Sequence, residues 1–295
     1  MADNDRKKGM GIEMKRIIVT GCYGQLGKEI SRLYEGNQDI ELINTDVDEL
    51  DISNVNAVIN FAKRAEPYAI INCAAYTAVD ACETDQDTAF RVNALGPRNL
   101  AIAARETGAK LVHVSTDYVF DGNKQTPYLE SDPLCPQTVY GFTKAEGEKM
   151  IQQMMHRFFI LRTAWLYGEG KNFVKTMLRL SETNDTVRVV GDQYGTPTSA
   201  YELARAIDSL LFTSNYGIFH ATCEGSCNWA EFAQEIFRLA GKNTKVEAIT
   251  TAEYGAPAKR PANSILENHM LKVTNGYQFA DWHDAIEKYI RELDV

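Results

Sequence analysis

The sequence predicts an α/β protein: a doubly wound parallel sheet with a smaller C-terminal α/β lobe. Three observations predict it. Short apolar runs rich in β-branched residues alternate with longer helical stretches through the first half, which is the rhythm of βαβ units. The first of these runs ends directly in a glycine-spaced turn. Past Phe158 the rhythm loosens, so the C-terminal part reads as a second lobe interleaved with late strands of the main sheet.

Lys15–Thr20 (KRIIVT) is the first strand, followed by Gly21-Cys22-Tyr23-Gly24-Gln25-Leu26-Gly27 and then by helical periodicity from about Lys28. Strand, glycine turn, helix is the order that lets a pyrophosphate reach backbone N–H groups at a helix N-terminus, as in Rossmann-type dinucleotide sites. The spacing here is G-x-x-G-x-x-G, not the commoner G-x-G-x-x-G. The second strand, Ile40–Thr45 (IELINT), ends in Asp46, nineteen residues after Gly27. An acid at that place accepts hydrogen bonds from ribose hydroxyls and repels a 2′-phosphate, which favours NADH over NADPH; an aspartate there can equally cap a turn. Asp51 and Ile52 close the second βα loop on the same sheet edge, within reach of an adenine. Ala69–Ala75 (AIINCAA) is the third strand, with small residues at its carboxyl end that suit a flat ligand, and 109–115 (AKLVHVS) the fourth, ending in Ser115-Thr116-Asp117. Helices are expected at 25–35, 53–65 and 84–106, and ligands at the strand carboxyl ends.

The next helix, Thr138 to about Met155, carries Tyr140-Gly141-Phe142-Thr143-Lys144. Tyrosine and lysine four apart share one helical face. A cation beside a phenol stabilises the phenolate, and lowering a phenol by about three units asks for roughly 4 kcal/mol. The pair is therefore a candidate acid/base device for an oxygen; by itself it is also what a surface tyrosine packed on a lysine stem looks like. A fifth strand, Phe158–Thr163, ends in Ala164-Trp165, and further helices fall near 172–182, 199–213, 228–240 and 282–292, with a strand at 187–190. Residues 14–165 are assigned mainly to a dinucleotide-binding domain and 166–295 mainly to a substrate lobe. Residues 1–13 are polar and aperiodic and read as a leader.

Composition bounds the function. The chain has 295 residues, 44% of them hydrophobic, with a formal charge of −9 and a pI near 5.2. No compensating basic run appears, which argues against nucleic acid and anionic membranes as partners. There is no run of membrane-spanning length. Cys22, Cys73, Cys82, Cys135, Cys223 and Cys227 are scattered in a way that suits reduced thiols and a cytoplasmic protein, not a disulfide frame or a metal site.

Taken together, GCYGQLG (21–27), NCAAYTAVDACE (72–83), HVSTDYVFDG (113–122), VYGFTK (139–144), RTAWLYG (162–168), DQYGTPT (192–198) and RPANSIL (260–266) resemble the extended short-chain dehydrogenase/reductases that act on nucleotide-linked sugars. The resemblance spans Met14 to Val295 and is closest to those that reduce a 4-keto sugar with NADH or NADPH. It implies that Gly21, Gly24, Gln25, Leu26 and Gly27 wrap the cofactor pyrophosphate, that Asp46, Asp51 and Ile52 hold the adenosine end, and that Ala74, Ala75, Tyr76, Thr77 and Val114 line the cofactor cleft. Tyr140 would protonate the C4 oxygen, Lys144 bind the nicotinamide ribose and lower the Tyr140 pKa, and Thr116 hydrogen-bond the carbonyl. Asp117 and Trp165 would contact the sugar, Val79 border it, and Arg260 and Asn263 meet the diphosphate. Some members dimerise around magnesium held by glutamates; Glu29 matches one such position, but Tyr201 stands where a second is needed, with Glu202 one step away, so no metal is expected and the chain is a monomer or homodimer. Related dehydratases carry Thr-Asp-Glu where this chain has Thr116-Asp117-Tyr118, and related epimerases have a larger C-terminal lobe. A non-catalytic reading also exists, since a regulatory subunit of methionine adenosyltransferase resembles the same group.

Overall fold

The structure, a computed structural model, describes residues 14–293; the expected leader at 1–13 lies outside the described residues. The first half gives β1 (Lys15–Thr20), α1 (Gln25–Leu33), β2 (Ile40–Thr45), α2 (Val55–Ala65), β3 (Ala69–Asn72), α3 (Val79–Thr84), α4 (Gln86–Phe90), α5 (Gly96–Thr107), β4 (Lys110–Thr116), α6 (Val139–Met154) and β5 (Phe158–Thr163). The second half gives β6 (Leu166–Tyr167), α7 (Phe173–Ser181), β7 (Thr186–Val190), β8 (Tyr194–Gly195), β9 (Thr198–Ser199), α8 (Ala200–Leu211) and β10 (Gly217–His220). It continues with β11 (Cys227–Asn228), α9 (Trp229–Leu239), β12 (Lys245–Ile249), α10 (Thr251–Tyr254), α11 (His269–Asn275) and α12 (Trp282–Glu292).

Six strands form one sheet in the order β10-β5-β4-β3-β1-β2, and every pairing in it is parallel. Parallel strands need both faces covered, and side-chain alternation does this here. Ile17, Val19, Ile71, Val112, Phe159 and Leu161 point into one core, which continues into the C-terminal lobe through α7, α8, α9 and α12. Their neighbours Ile18, Ile70, Leu111 and Ile160 point into the other, under α2, α5 and α6. The chain order reverses between β1 and β3, which opens the crevice where α/β sheets bind ligands.

One departure from the sequence reading has a local cause. The single helix expected over 84–106 is broken into α3, α4, a π turn at Arg91–Leu95 and α5. Pro97 lacks the N–H that would bond Asn93 four residues back. The freed segment turns the Asn93 amide onto the backbone of Tyr76, accepting from its N–H at 2.9 Å and donating to its carbonyl at 3.0 Å. The β12 strand pairs β7 in a separate two-stranded parallel sheet, while β10 crosses back to pair β5 in the main sheet.

Candidate active site

At the strand carboxyl ends lies a cleft of about 910 Å³. Its lining brings together Gly24, Gln25, Leu26 and Gly27, then Ala75, Thr77 and Val79, and the catalytic candidates Thr116, Tyr140 and Lys144. Val114, Asp117, Trp165 and Arg260 line it as well.

The glycine turn is shaped by backbone approach. A Cβ on Gly21, whose φ is +68°, would lie 2.7 Å from the Ala74 nitrogen, and one on Gly27 would lie 2.4 Å from the Gly21 carbonyl oxygen. α1 therefore starts hard against β1 and β3, with no side-chain cap on its N-terminus. Gln25 Oε1 is buried and has no hydrogen-bond partner among the described residues. Free helix N–H groups beside an orphaned acceptor fit a pyrophosphate and the hydroxyls next to it.

On the opposite wall, α6 begins at Thr138, whose hydroxyl accepts from the Gly141 N–H at 3.0 Å. Gly141 is required there, because a Cβ would sit 2.1 Å from the Tyr118 carbonyl oxygen. That contact sets α6 against the loop after β4 and places Tyr140, half-buried, beside Thr116. Burial pushes the Tyr140 phenol up from its ordinary value, the Asp117 carboxyl and Tyr118 add to this, and the polar Thr116 hydroxyl nearby opposes it. Lys144, one turn on and buried, donates to the Val114 carbonyl at 2.6 Å and lies 3.4 Å from His113 Nε2. Burial lowers its ammonium to about 8, with Glu148 and Cys73 working the other way. The expectation that Lys144 pulls the phenol down is corrected here: its ammonium is turned to β4, and Tyr140 stays protonated through the neutral range.

Thr116 donates to Asp117 Oδ1 at 2.9 Å, and Ser264 donates to the other oxygen of Asp117. Burial pushes the Asp117 carboxyl up to about 6 against these hydrogen bonds. Tyr118 packs edge-on to Tyr140, ring centroids 5.5 Å apart. Trp165 holds a left-handed φ of +50° and stacks on Trp229 at 3.5 Å. Gly195 permits this, since a Cβ there would be 2.5 Å from the Trp165 ring. Arg260 pairs with Asp80 at 2.7 Å, and its Nη1 is buried without a partner among the described residues.

Several expected contacts lie elsewhere. Asn263 does not line the cleft: its amide donates to the carbonyls of Lys124 and Thr126 at 2.7 and 3.1 Å and accepts from the Ile265 N–H at 2.9 Å, which leaves nothing for a diphosphate. The Ile52 side chain is buried in the core, where it touches Gly96. Asp51 caps its own loop through the Ser53 N–H at 2.9 Å. Asp46 caps a turn, accepting from the N–H groups of Tyr23 at 3.2 Å and Val47 at 2.8 Å. Tyr76 is outside the cleft lining and is held by Asn93. Ser264 and Trp229 were missed by sequence reasoning, and Tyr118 was read only as the residue in place of the dehydratases' glutamate; Ser264 stands inside the RPANSIL motif, whereas nothing in the sequence marks Trp229.

Among the described residues no group of three or more His, Cys, Asp or Glu side chains is arranged to hold a metal ion. Glu29 is paired with Arg32 at 2.5 Å, and the Tyr201 ring lies under the Lys288 ammonium at 3.2 Å.

The family model described as the RmlD substrate binding domain matches residues 14–295. A dTDP-4-dehydrorhamnose reductase of Aggregatibacter actinomycetemcomitans is 42% identical over 93% of this chain and 98% of its own. The crystal structure of a dTDP-4-dehydrorhamnose reductase from Clostridium acetobutylicum superposes with a TM-score of 0.93 at 49% identity, covering 95% of this chain and 100% of the other. That of the Bacillus anthracis dTDP-4-dehydrorhamnose reductase, in complex with NADP, gives a TM-score of 0.92 at 40% identity, covering 95% and 99%.

Proposed function

We propose, from the premise that the chain belongs to the RmlD substrate-binding-domain family, that it is an NAD(P)H-dependent oxidoreductase. Its reaction is the reduction of the C4 keto group of dTDP-4-dehydro-L-rhamnose to dTDP-L-rhamnose, the last step in making that nucleotide sugar. The observation that carries this reading is the convergence of Thr116, Tyr140 and Lys144 on one cleft with the glycine cradle.

A reduced nicotinamide, when bound, supplies the hydride to C4. The chain's own residues manage the oxygen. Thr116 donates a hydrogen bond to the carbonyl oxygen in place of its bond to Asp117, and this bond strengthens as negative charge develops. Tyr140, kept protonated by burial, gives its proton to that oxygen and becomes the phenolate. Lys144, which lines the same cleft, meets the ribose hydroxyls of the cofactor. Arg260, with its unpartnered Nη1, grips the diphosphate of the sugar nucleotide. Asp46, at the end of β2, carries the negative charge that favours NADH over a coenzyme with a 2′-phosphate, while its two oxygens accept from the Val47 and Tyr23 N–H groups. The free thiols suit a cytoplasmic enzyme. Residues 14–165 chiefly serve the cofactor and 166–295 the substrate.

The test is NADH and NADPH oxidation with dTDP-4-dehydro-L-rhamnose. Turnover with either coenzyme is expected; no turnover with either, together with co-purification of a partner enzyme, would favour the regulatory reading.

A further inference from the structure

Next to Lys144 runs a buried row of polar side chains that the reaction above does not use. Thr20, Asn72 and His113 are aligned partners across β1, β3 and β4. They stand two positions beyond Ile18, Ile70 and Leu111 on the face covered by α6, and all three are buried. None of them lines the cleft.

The hydrogen bonds fix every proton in this row. The Ala74 N–H can only donate, so the Asn72 atom it meets at 3.1 Å is the oxygen, and the Thr20 hydroxyl donates to the same oxygen at 2.8 Å. The Asn72 NH₂ therefore faces His113 Nδ1, 2.9 Å away. Nδ1 must accept, and a neutral ring that accepts at Nδ1 carries its proton on Nε2. Burial and the Lys144 charge hold His113 neutral. Nε2 is the atom that faces Lys144 Nζ at 3.4 Å. An N–H aimed at an ammonium opposes it, whereas the same N–H donates to the lone pair of a free amine.

We infer that Asn72 and His113 are positioning residues for the proposed reaction: Asn72 locks His113 as the Nε2–H tautomer, and that N–H disfavours the charged form of Lys144. The lysine can then give up and regain a proton near neutrality while the Val114 carbonyl holds it in place. The other groups facing it do not serve this purpose. Glu148 is ion-paired with Arg162 at 2.7 Å and favours the ammonium. The Cys73 thiol is pushed by burial up to about 12 and stays neutral. Tyr140 is protonated. The inference rests on the reductase reading for its meaning, but its test does not need turnover.

The experiment is long-range ¹H–¹⁵N NMR of the histidine rings, with titration of the Lys144 ¹⁵Nζ signal, in wild type and Asn72→Asp. In wild type, His113 is expected as the Nε2–H tautomer from about pH 6 to about pH 9, well above its own titration, and the lysine midpoint near 8. Asn72→Asp keeps an acceptor for Ala74 and Thr20 but now also accepts at His113 Nδ1. The ring is expected to switch to Nδ1–H, offering a lone pair to the ammonium, and the lysine midpoint to rise by about one unit or more. The alkaline limb of kcat/KM should rise with it. A wild-type ring found as Nδ1–H or as imidazolium overturns the inference, and this reading stands even if the variant does not fold. A folded variant whose ring switches while the lysine midpoint stays put overturns it too. Absence of turnover in wild type, with the expected tautomer and midpoint, would count against the reductase reading alone.

Discussion

At the residue scale, two neighbours on α6 carry opposite consequences of burial. The phenol is pushed up and so remains a proton donor, while the ammonium is lowered to about 8 and so becomes a group that loses its charge within an ordinary assay range. Tyr140→Phe removes the proposed proton donor, and kcat is expected to fall by roughly 100- to 10,000-fold. Cofactor affinity, measured by NADH fluorescence titration, should barely change. Because the folded-state value for Lys144 lies below its ordinary one, the unfolded chain binds the extra proton between about pH 8 and a lysine's ordinary 10.5. Its burial therefore costs stability below pH 8, and that cost is relieved as pH rises through this window. Activity should move the opposite way: kcat/KM is expected to fall along a limb near pH 8 as the ammonium is lost. Thr116→Val removes the proposed hydrogen bond to the developing oxyanion, and a loss of about 100-fold in kcat is the expected scale.

At the scale of elements, the site depends on close backbone contacts that glycine alone allows. Gly141 lets α6 meet the Tyr118 carbonyl. Gly141→Ala would force that contact apart, with an expected loss of about 1–3 kcal/mol in stability and a kcat loss from a displaced Tyr140; thermal unfolding and steady-state kinetics on the same variant check both. The strands β1 to β5 and helices α1, α2 and α6 were legible in the sequence because β-branched runs and helical periodicity agree there with the glycine and capping signals. The break in 84–106 was not, since its cause is the pairing of Pro97 with a tertiary role for Asn93. Thr116, Tyr140 and Lys144 were legible as residue types at a known spacing. The direction of the Lys144 ammonium was not: it depends on a carbonyl and an imidazole from β4, and spacing along one helix says nothing about them. Asn263 failed for a related reason, as a side chain in the right motif is engaged by two carbonyls from a distant loop.

At the scale of the whole molecule, the cleft is closed by a segment from near the chain's end. Ser264 reaches Asp117 and Arg260 reaches Asp80. The backbone between them is pinned by the Asn263 N–H on the Gly122 carbonyl at 2.9 Å and by the Ser264 N–H on the Tyr194 carbonyl at 2.7 Å. Arg260→Ala should weaken the sugar nucleotide without touching the dinucleotide. The expected signature is a KM for dTDP-4-dehydro-L-rhamnose raised by about 10- to 100-fold, the scale of a lost charge-assisted hydrogen bond, with an unchanged dissociation constant for NADH. A rise in both constants would place Arg260 elsewhere in the binding scheme.

The crossing of β10 to the flank of β5 also sets the order in which the chain can be finished during synthesis. A nascent polypeptide that has emerged only to residue 165 displays β5 as a naked ladder of peptide groups, and its missing neighbour is still inside the ribosome. Fragments ending there should precipitate or seek chaperones, whereas chains that also supply β10 and the α9 and α12 helices of the same core should remain dispersed.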